Sequence, residues 1–278
     1  MIDETYLSTI IDTSRPHVPC MYDYYLGGQY NSTVDRAAAQ KALDAVPTIS
    51  LMARMNRGFL RRVVRFMARQ GVRQFLDIGS GLPTNGNTHE IAQEVLGEAN
   101  ARVVYVDHEE IVKTLGSEIL AKDENSAVVI ESCLHPQEIL DHPDVRQLID
   151  FSQAVGILMI SLLHFFSDAQ LPVIIDPIRN AACSRSYFAA SQFYTPEDGK
   201  FRYDEDKGEQ VAEQYRAAST NTYGRTEQEI VNKIFKRDGW EMEEPGLANV
   251  GAWRVDDGDK VEGDPDDCYI LGGLAKKM

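Results

Sequence analysis

Hydrophobic positions follow a helical period early in the chain and a strand-like pattern after it. Five apolar residues recur at steps of three or four: Met52, Met55, Phe59, Val63 and Phe66. Because one face of an α-helix repeats every 3.6 residues, this spacing predicts an amphipathic helix over residues 50–70, closed by Gly71. The preceding segment is irregular, apart from a helix-forming run at 35–43.

Short apolar runs alternate with helical segments from residue 72 onward. Strands are predicted at 74–78, 102–107, 127–130, 153–161 and 187–193, with helices at 89–96, at 109–120 and from 167. The run 153–161 is nearly all apolar, as expected for a parallel strand that is covered on both faces. This alternation predicts an α/β protein with βαβ units, a mostly parallel sheet and right-handed crossovers.

The last third of the chain has a different pattern. Residues 195–206 are polar and contain proline and glycine, which predicts a loop or lid. A capping box at 226–229 predicts the start of a helix, and short strands are predicted at 240–242, 252–255 and 268–274. Late strands that follow a single helix are expected to pair antiparallel at a sheet edge. Because the α/β alternation begins near residue 72, we divide the chain into an N-terminal helical lid or extension, 1–70, and a core, 71–278.

The charge of the chain narrows the classes of partner. The 278 residues include 28 Lys and Arg against 43 Asp and Glu, a formal net charge of −15. Such an excess of acid repels phosphate backbones and anionic membrane surfaces, so neither nucleic acid nor a membrane is expected as a partner. The four cysteines form no C-x-x-C pair, the histidines are dispersed, and no signal peptide is evident. We expect a cytoplasmic protein with free thiols and no metal site.

A strand, a Gly-x-Gly turn and a helix follow one another at residues 75–84. The turn is Gly79-Ser80-Gly81, and Asp77 lies two residues before it. Glycines at such a turn let backbone amides approach a ligand closely. A carboxylate at Asp77 would repel a pyrophosphate but attract a cationic amine or sulfonium, and Thr84 replaces the third glycine of the dinucleotide fingerprint. The loop therefore favours S-adenosylmethionine over a nicotinamide or flavin cofactor.

Asp107 ends the second strand, 26 residues after Gly81. An acidic side chain at this strand end can accept both ribose hydroxyl groups of a nucleoside, and the adjacent His108 is a further candidate for the same site. A helix cap is the structural alternative for Asp107, and a bare turn is the alternative for the glycines. Both features at neighbouring strand ends favour a ligand site.

Four segments together resemble a family of small bacterial methyltransferases, long described as a domain of unknown function, within the class I S-adenosylmethionine-dependent methyltransferases. The segments lie at 22–28, 55–62, 74–84 and 103–107. The resemblance covers nearly the whole chain. It implies methyl transfer from S-adenosylmethionine on a Rossmann-like fold, with a seven-stranded sheet whose last two strands form the antiparallel edge.

Three further cofactor-site candidates lie in the family-like segments: Tyr22, Gly28 and Arg57. The guanidinium of Arg57 is suited to the carboxylate of the cofactor. The tyrosine-rich turn at 22–31 is interpreted as a lid over cofactor and acceptor, because aromatic rings can stack on adenine or enclose a sulfonium. The alternative for this turn is a packed N-terminal segment.

The segment after the third strand departs from the family pattern. That pattern implies an Asp facing the adenine amino group, whereas this chain has Ser132, Cys133 and Leu134 there. Ser132 can hydrogen-bond adenine without bringing a charge, and Glu131 or a backbone group could substitute for the missing acid. We place 132–134 near adenine.

Ser161 and His164 follow the fourth strand, at the sheet edge where open α/β sheets bind ligands. His164 is a candidate general base; the alternative is a histidine that satisfies local backbone groups, since positioning alone can accelerate methyl transfer. The predicted function is methyl transfer to a small organic acceptor. The sequence leaves two alternatives open, a non-catalytic protein that binds S-adenosylmethionine or S-adenosylhomocysteine and a nicotinamide-dependent reductase.

Overall fold

The computed structural model describes residues 4–84, 86–196, 205–218, 220–256, 259 and 263–278. The α-helices in these ranges are α1 (Glu4–Ile10), α2 (Val18–Tyr25), α3 (Thr33–Ala45), α4 (Ile49–Arg69), α5 (Thr88–Leu96), α6 (Glu110–Ile119), α7 (Pro136–Asp141), α8 (Pro143–Leu148), α9 (Leu171–Ala181), α10 (Glu205–Ala217) and α11 (Glu227–Ile230). A π-helical turn, Val231–Phe235, continues α11. Among the described helices, none combines the length and apolar character needed to cross a bilayer.

One mixed sheet organises the chain. Its strands are β1 (Gln74–Ile78), β2 (Arg102–Asp107), β3 (Ser126–Ile130), β4 (Gly156–Met159), β5 (Tyr187–Phe193), β6 (Trp240–Met242), β7 (Ala248–Asn249) and β8 (Ile270–Lys277). The order is β3-β2-β1-β4-β5-β8-β6, and the two-residue β7 also pairs with β8. β1 to β5 are parallel, whereas β8 is antiparallel to both β5 and β6. The predicted α/β fold with an antiparallel edge is confirmed.

The sheet separates two hydrophobic clusters. All five positions of β1 are buried. Phe75 packs in the cluster shared with α2 to α5, whereas Leu76 and Ile78 pack in the cluster shared with α7, α8 and α9. Since successive side chains of a strand point to opposite faces, an unbroken apolar strand needs cover on both sides. The helices on the two faces supply that cover.

The N-terminal helices pack directly on the loop after β1 and on α6. Leu7 of α1 and Cys20 of α2 are fully buried against Leu82, Ile111 and Leu115. In addition, His17 Nδ1 lies 2.9 Å from Glu109 Oε2 across the same interface. That hydrogen bond raises the pKa of the His17 imidazole. The division at residue 70 stays a prediction.

Two local predictions were wrong. Residues 252–255 form no strand: residues 251–254 form a turn, and the short strand before it is β7. The Asn249 side chain accepts the backbone N–H of Gly251 at 2.8 Å, and Trp253 packs edge-on against Phe59 at a centroid distance of 5.3 Å. Trp253 is therefore buried within a turn, whereas Ala252 and Val255 are exposed. In the second case, α9 begins at Leu171, three to four residues after the predicted start at 167–168.

The predicted polar segment 195–206 is described only in part. Residues 197–204 lie outside the described residues. α10 begins at Glu205, so the end of the predicted loop belongs to a helix. The capping box of α11 is confirmed, because the Thr226 side chain accepts the Glu229 N–H and the Glu229 side chain accepts the Thr226 N–H.

Candidate functional site

A cavity of about 910 Å³ lies at the carboxyl ends of the parallel strands, beneath α2, α4 and α10. It brings together thirteen of the fourteen residues that the sequence nominates: Tyr22, Arg57, Asp77, Gly79, Ser80, Gly81, Asp107, His108, Ser132, Cys133, Leu134, Ser161 and His164. Gly28 is the exception and does not line the cavity. This volume is near the upper end for small-molecule sites, so it has room for more than one ligand.

The glycine loop has the backbone shape that the sequence predicts. Gly79 and Gly81 have φ angles of 68° and 61°, a region that favours glycine. The N–H groups of Gly79 and Ser80 donate to the Val106 carbonyl at 2.8 and 3.2 Å, which fixes the loop to β2. A Cβ on Gly79 would lie 2.4 Å from Leu162, whereas a Cβ on Gly81 would meet no atom within 4 Å. The space beside Gly81 therefore belongs to the ligand cavity.

Asp77 is a buried carboxyl group at the end of β1 with 5% of its surface exposed. Its Oδ2 accepts a hydrogen bond from Thr88 Oγ1 of α5 at 2.7 Å. Burial raises the pKa of Asp77 to about 6, while the Thr88 hydroxyl and the nearby Arg57 oppose that rise. Desolvation thus raises the pKa of Asp77 more than Thr88 and Arg57 lower it. A bound ammonium group would lower this pKa again.

Asp107 lies at the adjacent strand end, 7% exposed. One carboxylate oxygen accepts the N–H of Gly81 at 2.9 Å, and the other accepts the N–H of Glu109 at 3.1 Å. The carboxylate is thereby oriented by two backbone groups and keeps further lone pairs for ribose hydroxyl groups. His108 is mostly exposed, with Nδ1 3.5 Å from Asp107, and this contact raises its pKa.

Arg57 brings a positive charge to the cavity, as does Arg15 of the N-terminal segment. The Arg57 guanidinium lies 5.8 Å from the centroid of the Tyr22 ring. Within the described ranges it makes no hydrogen bond or salt bridge. A half-buried, unpaired guanidinium that lines a cavity is suited to a ligand carboxylate.

Asn56 and Ser161 join α4 to the end of β4. Asn56 Nδ2 donates to Ser161 Oγ at 2.8 Å and to Tyr22 Oη at 3.2 Å. Asn56 Oδ1 is buried and has no partner in the described part of the chain. Ser161 has a φ of 54°, an unfavourable angle for a residue with a side chain, and its N–H donates to Ser191 Oγ at 2.9 Å. Strain of this kind is concentrated at functional sites.

Asp23 anchors the tyrosine-rich turn to the glycine loop. Its carboxylate accepts hydrogen bonds from the Tyr30 N–H at 2.8 Å, from Asn31 Nδ2 at 2.9 Å and from Thr84 Oγ1 at 3.0 Å. Burial raises the pKa of Asp23, and these donors oppose the rise. Gly28 packs against this carboxylate, because a Cβ there would lie 2.1 Å from Asp23 Oδ1. Gly28 therefore affects the site only through its contact with Asp23. The sequence analysis did not identify Asp23 as the residue that attaches the tyrosine-rich turn to the glycine loop.

The segment after β3 lines another part of the cavity. Ser132 Oγ accepts the Leu134 N–H at 3.2 Å, so its own proton is free to bond a ligand nitrogen. The Glu131 carboxylate accepts the N–H of Ser132 at 2.9 Å and also lines the cavity. Burial raises the pKa of Cys133 to about 12, so its thiol stays neutral and is suited to an apolar contact with a base.

His164 lies at the opposite end of the cavity and is 2% exposed. Its ring stacks on Phe193 at a centroid distance of 4.0 Å and contacts Phe165 at 4.3 Å. Its Nδ1 has no hydrogen-bond partner among the described residues. Burial, with a smaller contribution from the positive charge of Arg225, lowers the pKa of His164 to about 3. The imidazole is therefore neutral at physiological pH.

Arg225 holds the His164 segment in place and was missed by the sequence analysis. Its guanidinium donates to the carbonyls of Leu163 at 3.1 Å and Phe166 at 2.6 Å, on either side of His164. It also bonds Asp168 at 2.9 Å and Gln192 Oε1 at 3.1 Å. Because this arginine is 62 residues from Leu163 in sequence, no local pattern could have indicated the contact.

Comparisons with known proteins agree with this geometry. A family model described as S-adenosyl methyltransferase matches residues 4–278. The crystal structure of a candidate methyltransferase from Thermobifida fusca YX is 36% identical with a TM-score of 0.85, over 96% of this chain and 97% of that chain. A DUF574 family protein from Streptomyces avermitilis MA-4680 is 32% identical with a TM-score of 0.85, over 96% and 99%. No curated protein matches the chain.

Proposed function

The chain belongs to the S-adenosyl methyltransferase family, and from that premise we propose that it methylates a small organic molecule bound at the His164 end of the cavity. It is an S-adenosylmethionine-dependent methyltransferase with the fold of that class. The observation that carries the proposal is one continuous cavity. Its charged residues lie at the ends of β1 to β3, on α4 at Arg57 and on the N-terminal segment, whereas its other end is aromatic.

The residues present fit the cofactor. Asp77 and Arg57 match the ammonium and carboxylate groups of the methionine end, and Asp107 matches the ribose hydroxyl groups. Ser132 and Cys133 offer one donor and one apolar surface to adenine. The open space beside Gly81 leaves room for the ligand backbone between them.

When bound, S-adenosylmethionine supplies an electrophilic methyl group on a sulfonium. The chain contributes position and exclusion of water: Asn56 and Ser161 lie between the two ends of the cavity, and α10 covers the acceptor end. The neutral imidazole of His164 adds no positive charge beside the sulfonium before the reaction, and it can take the acceptor proton as methyl transfer neutralises the sulfur. A methylated hydroxyl oxygen is a strong acid until it loses its proton, so even a weak base suffices.

A labelling experiment tests the proposal. The protein is incubated with methyl-tritiated S-adenosylmethionine and a bacterial extract fractionated into small molecules, proteins and nucleic acids. Label is expected in the small-molecule fraction, and the Asp107→Ala variant serves as the cofactor-site control. Label only in protein or nucleic acid would refute the proposal. S-adenosylhomocysteine binding without transfer to any fraction would instead support the non-catalytic alternative.

We further propose that residues 4–31 cover the cofactor and that the protein is cytoplasmic. Tyr22, Tyr25 and Leu26 line the cavity, and the Asp23–Thr84 hydrogen bond attaches this cover to the glycine loop. All four cysteines are free thiols, which suits a reducing compartment. Limited proteolysis tests the cover: cleavage near Gly27 should slow when S-adenosylhomocysteine binds. Equal cleavage with and without ligand would contradict it.

A further inference from the structure

The acceptor end of the cavity is lined by aromatic rings. Phe165 packs against His164 and lies 5.6 Å, centroid to centroid, from the ring of Tyr215 in α10. Tyr215 in turn faces Tyr25 of α2, and burial raises the pKa of Tyr215 to about 12. Aromatic side chains of this density recognise flat rings by stacking and edge contacts. The aliphatic residues of α4 and α10 that complete the wall add no polar group.

Charged groups are confined to the other end of the cavity. Among the residues that the structure describes, the carboxylates and guanidinium groups that line the cavity belong to the N-terminal segment, to α4 at Arg57 and to the ends of β1, β2 and β3. The described lining of the acceptor end, from residue 160 onward and on α10, contains no charged side chain. A charged acceptor would lose its hydration there without gaining a partner.

Arg225 is a source of positive charge near His164, and its partner Asp168 offsets part of that charge. The guanidinium of Arg225 lies behind the His164 segment, bonded to the carbonyls on either side of it. The cofactor adds a sulfonium charge when it binds. Two positive charges disfavour an ammonium group at this point and stabilise partial negative charge on an oxygen. A hydroxyl group on an aromatic ring carries such charge better than an aliphatic alcohol, because the ring delocalises it.

We infer that the acceptor is an uncharged aromatic molecule whose ring hydroxyl is methylated beside His164. This inference rests on the proposed function and names its substrate class. In the reaction, the hydroxyl oxygen forms a bond to the methyl carbon while the carbon–sulfur bond breaks. The electron pair of that bond stays on sulfur, which becomes neutral, and the hydroxyl proton passes to the His164 imidazole. Charge is conserved, because the positive charge moves from sulfur to the imidazolium.

Four small probes test the inference on protein saturated with S-adenosylhomocysteine. They share a two-ring skeleton: 1-naphthol is neutral and aromatic, 1-naphthylmethylamine is cationic, 1-naphthoate is anionic, and decahydro-1-naphthol is a saturated alcohol. Equilibrium dialysis is expected to show 1-naphthol binding at least about fivefold more tightly than each of the others. With S-adenosylmethionine, 1-naphthol should yield 1-methoxynaphthalene and an equal amount of S-adenosylhomocysteine.

The outcome separates this inference from the proposed function. Equal or tighter binding of the amine, the carboxylate or the saturated alcohol would overturn the substrate class, and so would the failure of every probe to bind the loaded protein. Failure of S-adenosylhomocysteine to bind, measured first by calorimetry, would overturn the proposed function itself. Each failure therefore has its own readout.

A pair of variants locates the probe. Phe165→Leu removes a ring from the acceptor end and should weaken 1-naphthol about fivefold while the affinity for S-adenosylhomocysteine is unchanged. Phe66→Leu is the matched control, because Phe66 is also half-buried but packs edge-on against Tyr187, away from the cavity. Equal effects of the two substitutions on 1-naphthol binding would show that the probe lies elsewhere and would overturn the inference.

Discussion

Lowering the pH from 7.5 to 5 should weaken the binding of S-adenosylhomocysteine about tenfold, because Asp77 takes up a proton. Burial raises the pKa of this carboxyl to about 6 in the ligand-free protein. At pH 5 it is therefore about nine-tenths protonated, and the protein must lose that proton before it can pair with the ammonium group of the ligand. A neighbouring positive charge lowers a carboxyl pKa by roughly 1–3 units, which keeps Asp77 ionised in the complex.

The raised pKa of Asp77 also makes the folding stability depend on pH. Because the folded-state pKa of Asp77 is raised, its stabilising contribution is present below about pH 4 and is lost as the pH rises through about 6. Two pKa units correspond to about 3 kcal/mol as an upper bound. Asp77→Asn should therefore raise the stability of the ligand-free protein at pH 7 and, at the same time, weaken the ligand, since an amide offers no charge to the ammonium group.

Isothermal titration calorimetry in two buffers of different ionisation enthalpy measures both the affinity and the protons released. The wild-type protein should release nearly one proton per ligand at pH 5 and almost none at pH 7.5. Asp77→Asn is the control, because any pH dependence that it retains comes from other groups such as His108. An affinity of the wild-type protein that does not change with pH, together with an Asn variant less stable than wild type, would refute the role of Asp77.

Three further substitutions give distinct readouts. Asp107→Ala should weaken S-adenosylmethionine and S-adenosylhomocysteine equally, by about tenfold or more, because both carry the same ribose; calorimetry showing that only one is affected would rule out the ribose role. Gly28→Ala should cost about 1–3 kcal/mol in chemical denaturation, since its methyl group would displace Asp23; an unchanged midpoint would contradict that packing. Arg225→Met should cost about 3 kcal/mol or more, because it leaves several buried carbonyl acceptors unpaired, and a loss under 1 kcal/mol would disprove the clamp.

The fold and the cofactor end were predictable because their signals are local. A buried strand, a glycine turn and an acid at the next strand end occupy short stretches of sequence, and each has a direct physical meaning. β1, β2 and β5 were predicted with their observed bounds. The predicted strand 153–161 was too long at both ends, because β4 spans only Gly156–Met159. The antiparallel edge was predicted because short strands follow one another after a single late helix, and such strands pair antiparallel.

The rest depends on contacts between distant segments. Arg62 is one of several arginines on α4, yet it is buried and donates to the Trp253 carbonyl at 2.6 Å. That contact also explains why 252–255 is a turn, since the turn presents its carbonyl groups to an arginine 191 residues away. Asp23 and Arg225 likewise form hydrogen bonds with residues that are distant in sequence. Their role comes from partners that no local periodicity shows.

The short helix α2 connects the two ends of the cavity through neighbouring turns. Tyr22 lies beside Arg57 at the cofactor end, and Tyr25, three residues later, faces Tyr215 at the acceptor end. Both tyrosines line the cavity and belong to one rigid element, so a displacement of the helix at one end moves the wall at the other. With the two ligands bound as proposed, α2 would couple their affinities in both directions. Any factor by which the cofactor changes the affinity for the acceptor is the factor by which the acceptor changes the affinity for the cofactor.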